Sequence, residues 1–131
     1  MYLVYILKSD NLSYVGMTND FLKRFRQHNG EIVGGAKYTK KKDFWYPVCI
    51  IDGFKDRRAA CQCEWRLKRG KNGPQGRINY LSNYLSMNQK WTQKSDNILS
   101  QNLTFYIDEN FITHFYKSNH NFSSKELYWK E

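Results

Sequence analysis

The sequence predicts an α+β fold: a small, mainly antiparallel three-stranded sheet flanked by helices, with a short strand or helix added near the C-terminal end. Three segments rich in β-branched and aromatic residues, 2–8, 12–17 and 46–54, have the composition of strands. Helix-forming segments lie between the second and third strands and again after the third. This order departs from the regular strand–helix alternation of parallel sheets and indicates the α+β class.

The first two strands are predicted to form a hairpin. Residues 2–8 are apolar at both odd and even positions, which is typical of a strand covered on both faces of the sheet. Ser, Asp and Asn at 9–11 supply a turn, and the chain returns at 12–17. The first strand is therefore expected at the centre of the sheet.

A helix is expected at 20–29, because Thr, Asn and Asp at 18–20 supply an N-cap and Gly30 a stop. A loop at 31–45 follows, with two glycines and three consecutive lysines, and the third strand comes after it. The alanines and straight-chain residues at 57–69 predict a second helix.

The rest of the chain is less regular. Residues 70–76, with Pro74 among them, are expected to break the second helix. The remaining predictions are a third helix, a polar linker, a short strand and a last helix, at 77–91, 92–102, 103–107 and 109–118. Residues 1–91 would then be the main domain, and 92–131 a short extension that packs on it and ends loosely.

The net charge of +9 is unevenly distributed. Residues 1–90 carry 17 Lys and Arg against 7 Asp and Glu, whereas residues 91–131 carry 4 against 5. A basic body of this kind favours a polyanionic partner. Codon bias could account for the many lysines and asparagines, but not for the confinement of all seven arginines to residues 24–77.

Several classes of protein are disfavoured. There is no stretch of about 18 apolar residues that would cross a membrane, and Met1 leads directly into a strand rather than into a signal peptide. Three cysteines, Cys49, Cys61 and Cys63, make neither a disulfide framework nor a four-ligand zinc site, so no zinc is expected. We expect an intracellular protein and, if the polyanionic partner is DNA, a location in the nucleus or another DNA-containing compartment.

Two helical residues are candidates for a functional pair. Arg24 and His28 are four residues apart, so their side chains share one helix face. The guanidinium disfavours a charged imidazole, and His28 is therefore expected to be neutral. The alternative is a surface arginine with an unrelated histidine at the helix end.

Three further candidates are an acid and two tyrosines. Glu64 shares a small, apolar helix stripe with Ala60 and Leu67, where a carboxylate is either ion-paired or bound to a cation. Tyr5 and Tyr14 lie in the hairpin strands, where a tyrosine is most often a core aromatic. The order of these residues and their glycines supports a functional interpretation.

The tripeptides LVY at 3–5 and YVG at 14–16 resemble the two signature tripeptides of the GIY-YIG nucleases, with Leu3 in place of the first glycine. The resemblance implies that the catalytic residues are Tyr5, Tyr14, Arg24, His28 and Glu64. It also implies their roles: Glu64 holds a single Mg²⁺ or Mn²⁺, Arg24 binds the scissile phosphate, and Tyr5 is the general base. Tyr14 and His28 would position the water or the base, and Asn79 would be an accessory contact.

Further motifs are similar to the nuclease subunit of the eukaryotic Slx-type structure-specific endonucleases: HNG at 28–30, GGAKYT at 34–39, Trp45, GF at 53–54, and Glu64-Trp65. This similarity implies cleavage of flaps, replication forks and Holliday junctions in recombination or repair. The family's cysteine-rich zinc module, which binds a scaffold partner, has no counterpart here. A stand-alone monomer or a homodimer is therefore expected.

Two basic groups are the candidate DNA-binding residues. They are Lys37, Lys40, Lys41 and Lys42 on the loop, and Arg66, Lys68 and Arg69 beside Glu64. Such residues contact the phosphate backbone rather than base edges, although the triple lysine is equally well explained as a solvated charge run. Two further interpretations of the whole chain stay open: a catalytically inactive nucleic-acid-binding module, or a GIY-YIG nuclease with another repair, restriction or homing substrate.

Overall fold

The computed structural model describes residues 1–42, 44–70, 73–112, Phe115 and the backbone of 122–123. The elements in chain order are β1 Tyr2–Ser9, β2 Leu12–Thr18, α1 Phe21–His28, β3 Tyr46–Phe54, α2 Arg57–Leu67, α3 Gly73–Met87, β4 Thr104–Ile107 and β5 Phe122–Ser123. The α+β class predicted from the sequence is confirmed.

The sheet is larger than predicted. Its order is β2-β1-β3-β4-β5, in which the first four strands are antiparallel and the two-residue β5 is parallel to β4. The expectation of three strands was therefore wrong. The segment at 103–107 was recognised as a strand, but its partner β3 lies about fifty residues earlier in the chain, and no local pattern reveals such a pairing.

β1 lies at the centre of the sheet, between β2 and β3, as its two apolar faces indicated. Leu3, Tyr5 and Leu7 point to one face and pack with Phe21 of α1. Val4 and Ile6 point to the other face, where they share a core with buried residues of α2 and α3. The sheet is therefore covered by one helix on one side and by two helices on the other.

The first two helices begin at side-chain caps. The carboxylate of Asp20 accepts a hydrogen bond from the backbone N–H of Lys23 at 3.2 Å, and that of Asp56 accepts one from Ala59 at 2.8 Å. Each satisfies an N–H that the first helical turn leaves without a partner, which stabilises a helix by about 1 kcal/mol. The caps thus set the starts of the two helices that carry Arg24, His28 and Glu64.

The third helix begins earlier than predicted. It spans Gly73–Met87 instead of 77–91, and Pro74 is its second residue. At the start of a helix proline is tolerated, because the N–H that it lacks would have had no partner there. The predicted helix breaker is thus a helix starter, and the apolar spacing of Ile78, Leu81 and Leu85 still marks the buried face.

The segment after α3 packs on the same core through Trp91 and Ile98, and a short 3₁₀ turn occupies Leu99–Gln101. The helix predicted at 109–118 and the loose end lie mostly outside the described residues. In the part of the chain that the structure describes, no helix is long and apolar enough to cross a membrane.

Candidate active site

Tyr5 and Gly16 lie opposite each other on the paired strands β1 and β2. The Tyr5 ring lies directly over Gly16: a Cβ added to this glycine would be 2.5 Å from Cζ of Tyr5 and closer still to its hydroxyl oxygen. The edge of Phe21 packs against the same ring, with the two centroids 5.5 Å apart. The glycine of the YVG tripeptide is therefore required because it leaves room for the Tyr5 phenol.

The Tyr5 hydroxyl starts a chain of hydrogen bonds through buried side chains. Its oxygen lies 2.6 Å from Nε2 of His28, and Nδ1 of His28 lies 2.9 Å from Oγ1 of Thr39. The Thr39 hydroxyl donates its single proton to the carbonyl oxygen of Ala36 at 2.9 Å. Oγ1 must therefore accept from Nδ1–H of His28. Nε2 of His28 then carries no proton and accepts the hydrogen bond from Tyr5.

Burial keeps both partners of this pair neutral. Burial, and to a smaller extent the positive charge of Arg24, lower the pKa of His28 to about 4. Burial, Tyr14 and Glu64 raise the pKa of Tyr5 above its ordinary value, while Arg24 opposes that rise by a hydrogen bond and by its charge. At neutral pH, the Tyr5 hydroxyl therefore keeps its proton and donates a hydrogen bond to Nε2 of the neutral His28.

Arg24 is held at the edge of this pair by the loop after α1. Its Nη1 donates to the carbonyl oxygen of Gly34 at 2.7 Å and to Oε1 of Gln27 at 3.0 Å. The loop approaches α1 closely, since a Cβ at Gly35 would lie 2.5 Å from the carbonyl oxygen of Gln27. Because a guanidinium has five N–H donors, anchoring Nη1 leaves the other nitrogens for Tyr5 and for a substrate.

Tyr14 closes the cluster on the side of the edge strand. Its ring centroid lies 4.9 Å from that of His28 and 6.3 Å from that of Tyr5. Its other neighbour is Tyr38, stacked at 5.9 Å with an interplanar angle of 24°. Tyr14 thus connects the Tyr5–His28 pair to the loop that follows α1.

Glu64 approaches from α2. Its side chain is one-fifth exposed, and Oε2 lies 3.5 Å from Nζ of Lys68, one turn further along the helix. Its negative charge is near enough to Tyr5 to raise the pKa of that phenol. Tyr5, Tyr14, Arg24 and His28 therefore lie together, whereas Glu64 is joined to them only by the effect of its charge on Tyr5.

Comparison with known proteins identifies the family of this domain. Residues 1–79, more than half of the chain, match the model of the GIY-YIG catalytic domain. The chain belongs to the GIY-YIG family. The family predicted from the two tripeptides and the residues that follow them is confirmed.

The curated proteins that resemble this chain include subunits of structure-specific endonucleases. The chain is 44% identical over 68 residues to the structure-specific endonuclease subunit slx1 of Schizosaccharomyces japonicus, which covers 49% of this chain and 25% of that protein. It is 44% identical over 69 residues to the slx1 subunit of Schizosaccharomyces pombe (49% and 26%). With the SLX1 homolog of Leishmania infantum it shares 49% identity over 53 residues (40% and 8%). The chain thus spans about a quarter, or less, of the length of these relatives.

The basic residues predicted to bind DNA differ in their surroundings. Lys37, Lys40 and Lys41 are exposed, as are Lys68 and Arg69. Lys42 is ion-paired with Asp10 at 3.1 Å. Arg66 donates from Nε to the carbonyl oxygen of Trp91 at 2.8 Å, and so has a structural partner. The exposed five remain the better candidates for phosphate contacts.

Asn79 does not join the catalytic cluster through a hydrogen bond. Its side chain is half-buried on α3, and within the described residues it makes no hydrogen bond. The accessory role proposed for it remains a prediction.

Two residues of this GIY-YIG domain were not recognised from the sequence. Thr39, which fixes the tautomer of His28, lies in the GGAKYT stretch, but nothing in that pattern shows its hydroxyl reaching eleven residues back. Arg77 was expected only as the first residue of a helix, yet it is half-buried and bonds to β2 and to the end of α2. In the sequence, the feature that could have drawn attention to Arg77 is its place as the last of the seven arginines.

The burial of His28 predicts a pH-dependent stability. Its pKa is about 4 in the folded protein and about 6.5 when exposed. Protonation of His28 is therefore less favourable in the folded than in the unfolded protein. The free energy of unfolding is highest above pH 6.5 and decreases progressively as the pH falls toward 4. We expect the wild type to lose roughly 2–3 kcal/mol of unfolding free energy over this range relative to His28→Gln. Urea unfolding of both proteins at pH 7, 5.5 and 4.5 measures this difference, and parallel pH profiles would contradict it.

Proposed function

We propose that this chain is a divalent-metal-dependent endonuclease that hydrolyses phosphodiester bonds in branched or flapped DNA, including flaps, forks and Holliday junctions, in recombination or repair. The observation that carries the proposal is the buried Tyr5–His28–Thr39 hydrogen-bond chain next to Arg24 and Glu64. Such a chain gives a phenol a proton acceptor of defined tautomer beside a cation and a carboxylate. Those are the groups that hydrolysis of a phosphodiester needs.

Tyr5 is proposed as the general base. To take a proton from water it must first lose its own, and Nε2 of His28 accepts that proton along the 2.6 Å hydrogen bond. Thr39 keeps Nδ1 protonated, so the proton enters at Nε2 only. The raised pKa of Tyr5 and the lowered pKa of His28 both oppose this step, so the phenolate needs stabilisation by positive charge, which Arg24 supplies in part.

Arg24 is proposed to bind the scissile phosphate. With Nη1 fixed to Gly34 and Gln27, the remaining donors of the guanidinium can bind two phosphate oxygens at once. The same charge stabilises the additional negative charge of the transition state. Tyr14, packed on His28, is proposed to orient the attacking water or the Tyr5 hydroxyl.

Glu64 is proposed as the protein ligand of a single Mg²⁺ or Mn²⁺. Among the described residues there is no group of three or more His, Cys, Asp or Glu that could hold an ion. A partly exposed single carboxylate fits an ion that takes its other ligands from water and phosphate, which is the usual mode for Mg²⁺. When bound, the ion would stabilise hydroxide and the charge on the phosphate. Nζ of Lys68 lies 3.5 Å from Oε2 of Glu64, so the metal ion would displace Lys68 from the carboxylate or bind beside it.

The preference for branched DNA rests on the relatives and on the basic surface. The similar proteins are named structure-specific endonuclease subunits. The exposed lysines of the loop and the cations at the end of α2 suit contacts with phosphates rather than with base edges. We propose that the domain acts in a DNA-containing compartment, as a monomer or a homodimer.

The test uses purified protein, end-labelled 5′-flap, four-way-junction and linear duplex DNA of the same sequence, and Mg²⁺, Mn²⁺ or EDTA. We expect cleavage of the flap and the junction with either metal, none with EDTA, and little cleavage of the duplex. Equal cleavage of duplex and branched DNA would contradict the substrate class. No cleavage of any substrate with either metal would contradict the enzyme and leave the inactive binding module.

A further inference from the structure

A second groove adjoins the candidate active site. It has a volume of about 450 Å³ and is lined by residues of the β1–β2 turn, by Tyr38, and by the two helices behind them. Tyr14 belongs both to this groove and to the catalytic cluster, because its ring contacts His28 on one side and Tyr38 on the other. A strand whose scissile phosphate lies at Arg24 and Tyr5 would continue into this groove.

Arg77 is fixed in the wall of the groove. Its Nε donates to Oγ of Ser13 at 2.6 Å, and Nη1 donates to the carbonyl oxygens of Leu67 at 3.2 Å and Gly70 at 2.5 Å. These bonds hold the guanidinium in one orientation, because it is bonded both to β2 and to the end of α2. Within the described residues, Nη2 makes no hydrogen bond.

In the part of the chain that the structure describes, no carboxylate balances the charge of Arg77. Among the described residues, no Asp or Glu oxygen lies within 4.0 Å of its guanidinium. The carbonyls at the end of α2 offer only the partial negative charge of a helix C-terminus. Burial lowers the pKa of Arg77, which shows that its surroundings disfavour the isolated cation. A half-buried, oriented cation of this kind favours an anion in the groove beside it.

Two further features identify the anion. Lys68 lines the same groove and also contacts Glu64, so the groove contains a second, exposed cation beside the proposed metal ligand. The lining also contains aromatic rings, with Tyr38 stacked on Tyr14 and Nζ of Lys41 4.5 Å from the Tyr38 centroid. Cations and aromatic rings in one groove suit a nucleic-acid strand, because the cations can bind its phosphates and the rings can lie along its sugars or bases.

We propose that this groove binds the DNA strand next to the cut, with Arg77 and Lys68 holding a backbone phosphate that flanks the scissile one. The Tyr38–Tyr14 wall lies along the adjoining sugar or base. This inference rests on the proposed function, because it takes the scissile phosphate to lie at Arg24. It adds a second phosphate site that fixes the register of the strand, and hence the position of the cut.

The test is a double-mutant cycle that removes one charge from the protein and one from the DNA. The affinity for DNA is measured in EDTA, so that no cleavage is required. Flap DNA is made with one neutral methylphosphonate at a time, at each position on both sides of the branch point. For the wild type, we expect one flanking position to weaken binding about tenfold, the size of a charged hydrogen bond. Arg77→Gln should weaken binding of natural DNA by a similar factor and should lose its sensitivity at that position only.

Lys55→Gln is the control variant, because Lys55 is exposed and ion-paired with Asp96, away from the groove. It should bind like the wild type at every position. If Arg77→Gln fails to fold, which circular dichroism shows, the exposed Lys68→Gln decides with the same position-specific loss. The groove proposal is overturned if no flanking methylphosphonate affects the wild type, or if the groove variant stays as sensitive as the wild type. A protein that never cuts DNA but shows this cycle would refute the proposed enzyme and retain the groove.

Discussion

Glu64→Gln is expected to reduce the single-turnover rate of flap cleavage by roughly a thousandfold or more, while the junction remains bound. Glutamine keeps the size of the side chain but removes the negative charge that the proposed ion requires. Losing one group that stabilises transition-state charge commonly costs 10²–10³ in rate, and loss of the ion removes more than one such interaction. DNA binding in EDTA, measured by fluorescence anisotropy, should change by less than about threefold.

The matched control is Glu31→Gln. Glu31 is exposed and pairs with Arg26 at 3.5 Å, so the same chemical change there should leave cleavage unaltered. If Glu64→Gln cut DNA as fast as the wild type, Glu64 would be only the ion-pair partner of Lys68. If both binding and cleavage were lost, with the fold intact, its role would be in DNA binding rather than in holding a metal.

Tyr5→Phe is expected to lower the cleavage rate by roughly 10²–10⁴, the range for loss of a general base. The substitution removes one oxygen and leaves the ring that packs on Phe21 and over Gly16. It also leaves Nε2 of buried His28 without a partner, which should reduce the unfolding free energy by about 1–3 kcal/mol. Single-turnover cleavage and urea unfolding measure the two effects separately.

Tyr2→Phe, on the same strand and only partly buried, is the control for loss of a tyrosine hydroxyl. It should cut normally. Full activity of Tyr5→Phe, with the stability loss still present, would show that the hydroxyl serves only to pair His28. The base would then have to be another group, for which Tyr14, with its ring centroid 4.9 Å from that of His28, is the candidate.

The local elements of the fold could be predicted from the sequence, because each has its own pattern. The apolar faces of residues 2–8 placed β1 at the centre, the N-cap residues and Gly30 marked α1, and the alanines and straight-chain residues marked α2. Two errors had physical reasons. β4 pairs with a strand about fifty residues away, which no local pattern reveals, and Pro74 is compatible both with ending a helix and with starting one.

The site was predicted in part. The set of five residues came from a family resemblance, and their clustering depends on strand pairing and helix packing that the sequence does not show. For His28, the neutral state was expected from the neighbouring Arg24, but the structure gives burial as the larger cause. The contribution of Thr39 could not be found from the sequence, since it depends on how a loop without periodicity folds over α1.

The most direct test of whether Glu64 and Arg24 meet at one phosphate is a crystal structure of Tyr5→Phe with uncleaved flap DNA and Mn²⁺. Anomalous scattering locates the manganese. The arrangement predicts one manganese ion about 2.1 Å from a Glu64 carboxylate oxygen and bound to the scissile phosphate, with Arg24 on that same phosphate. An ion held away from Glu64, or a scissile phosphate out of reach of Arg24, would contradict the proposed site.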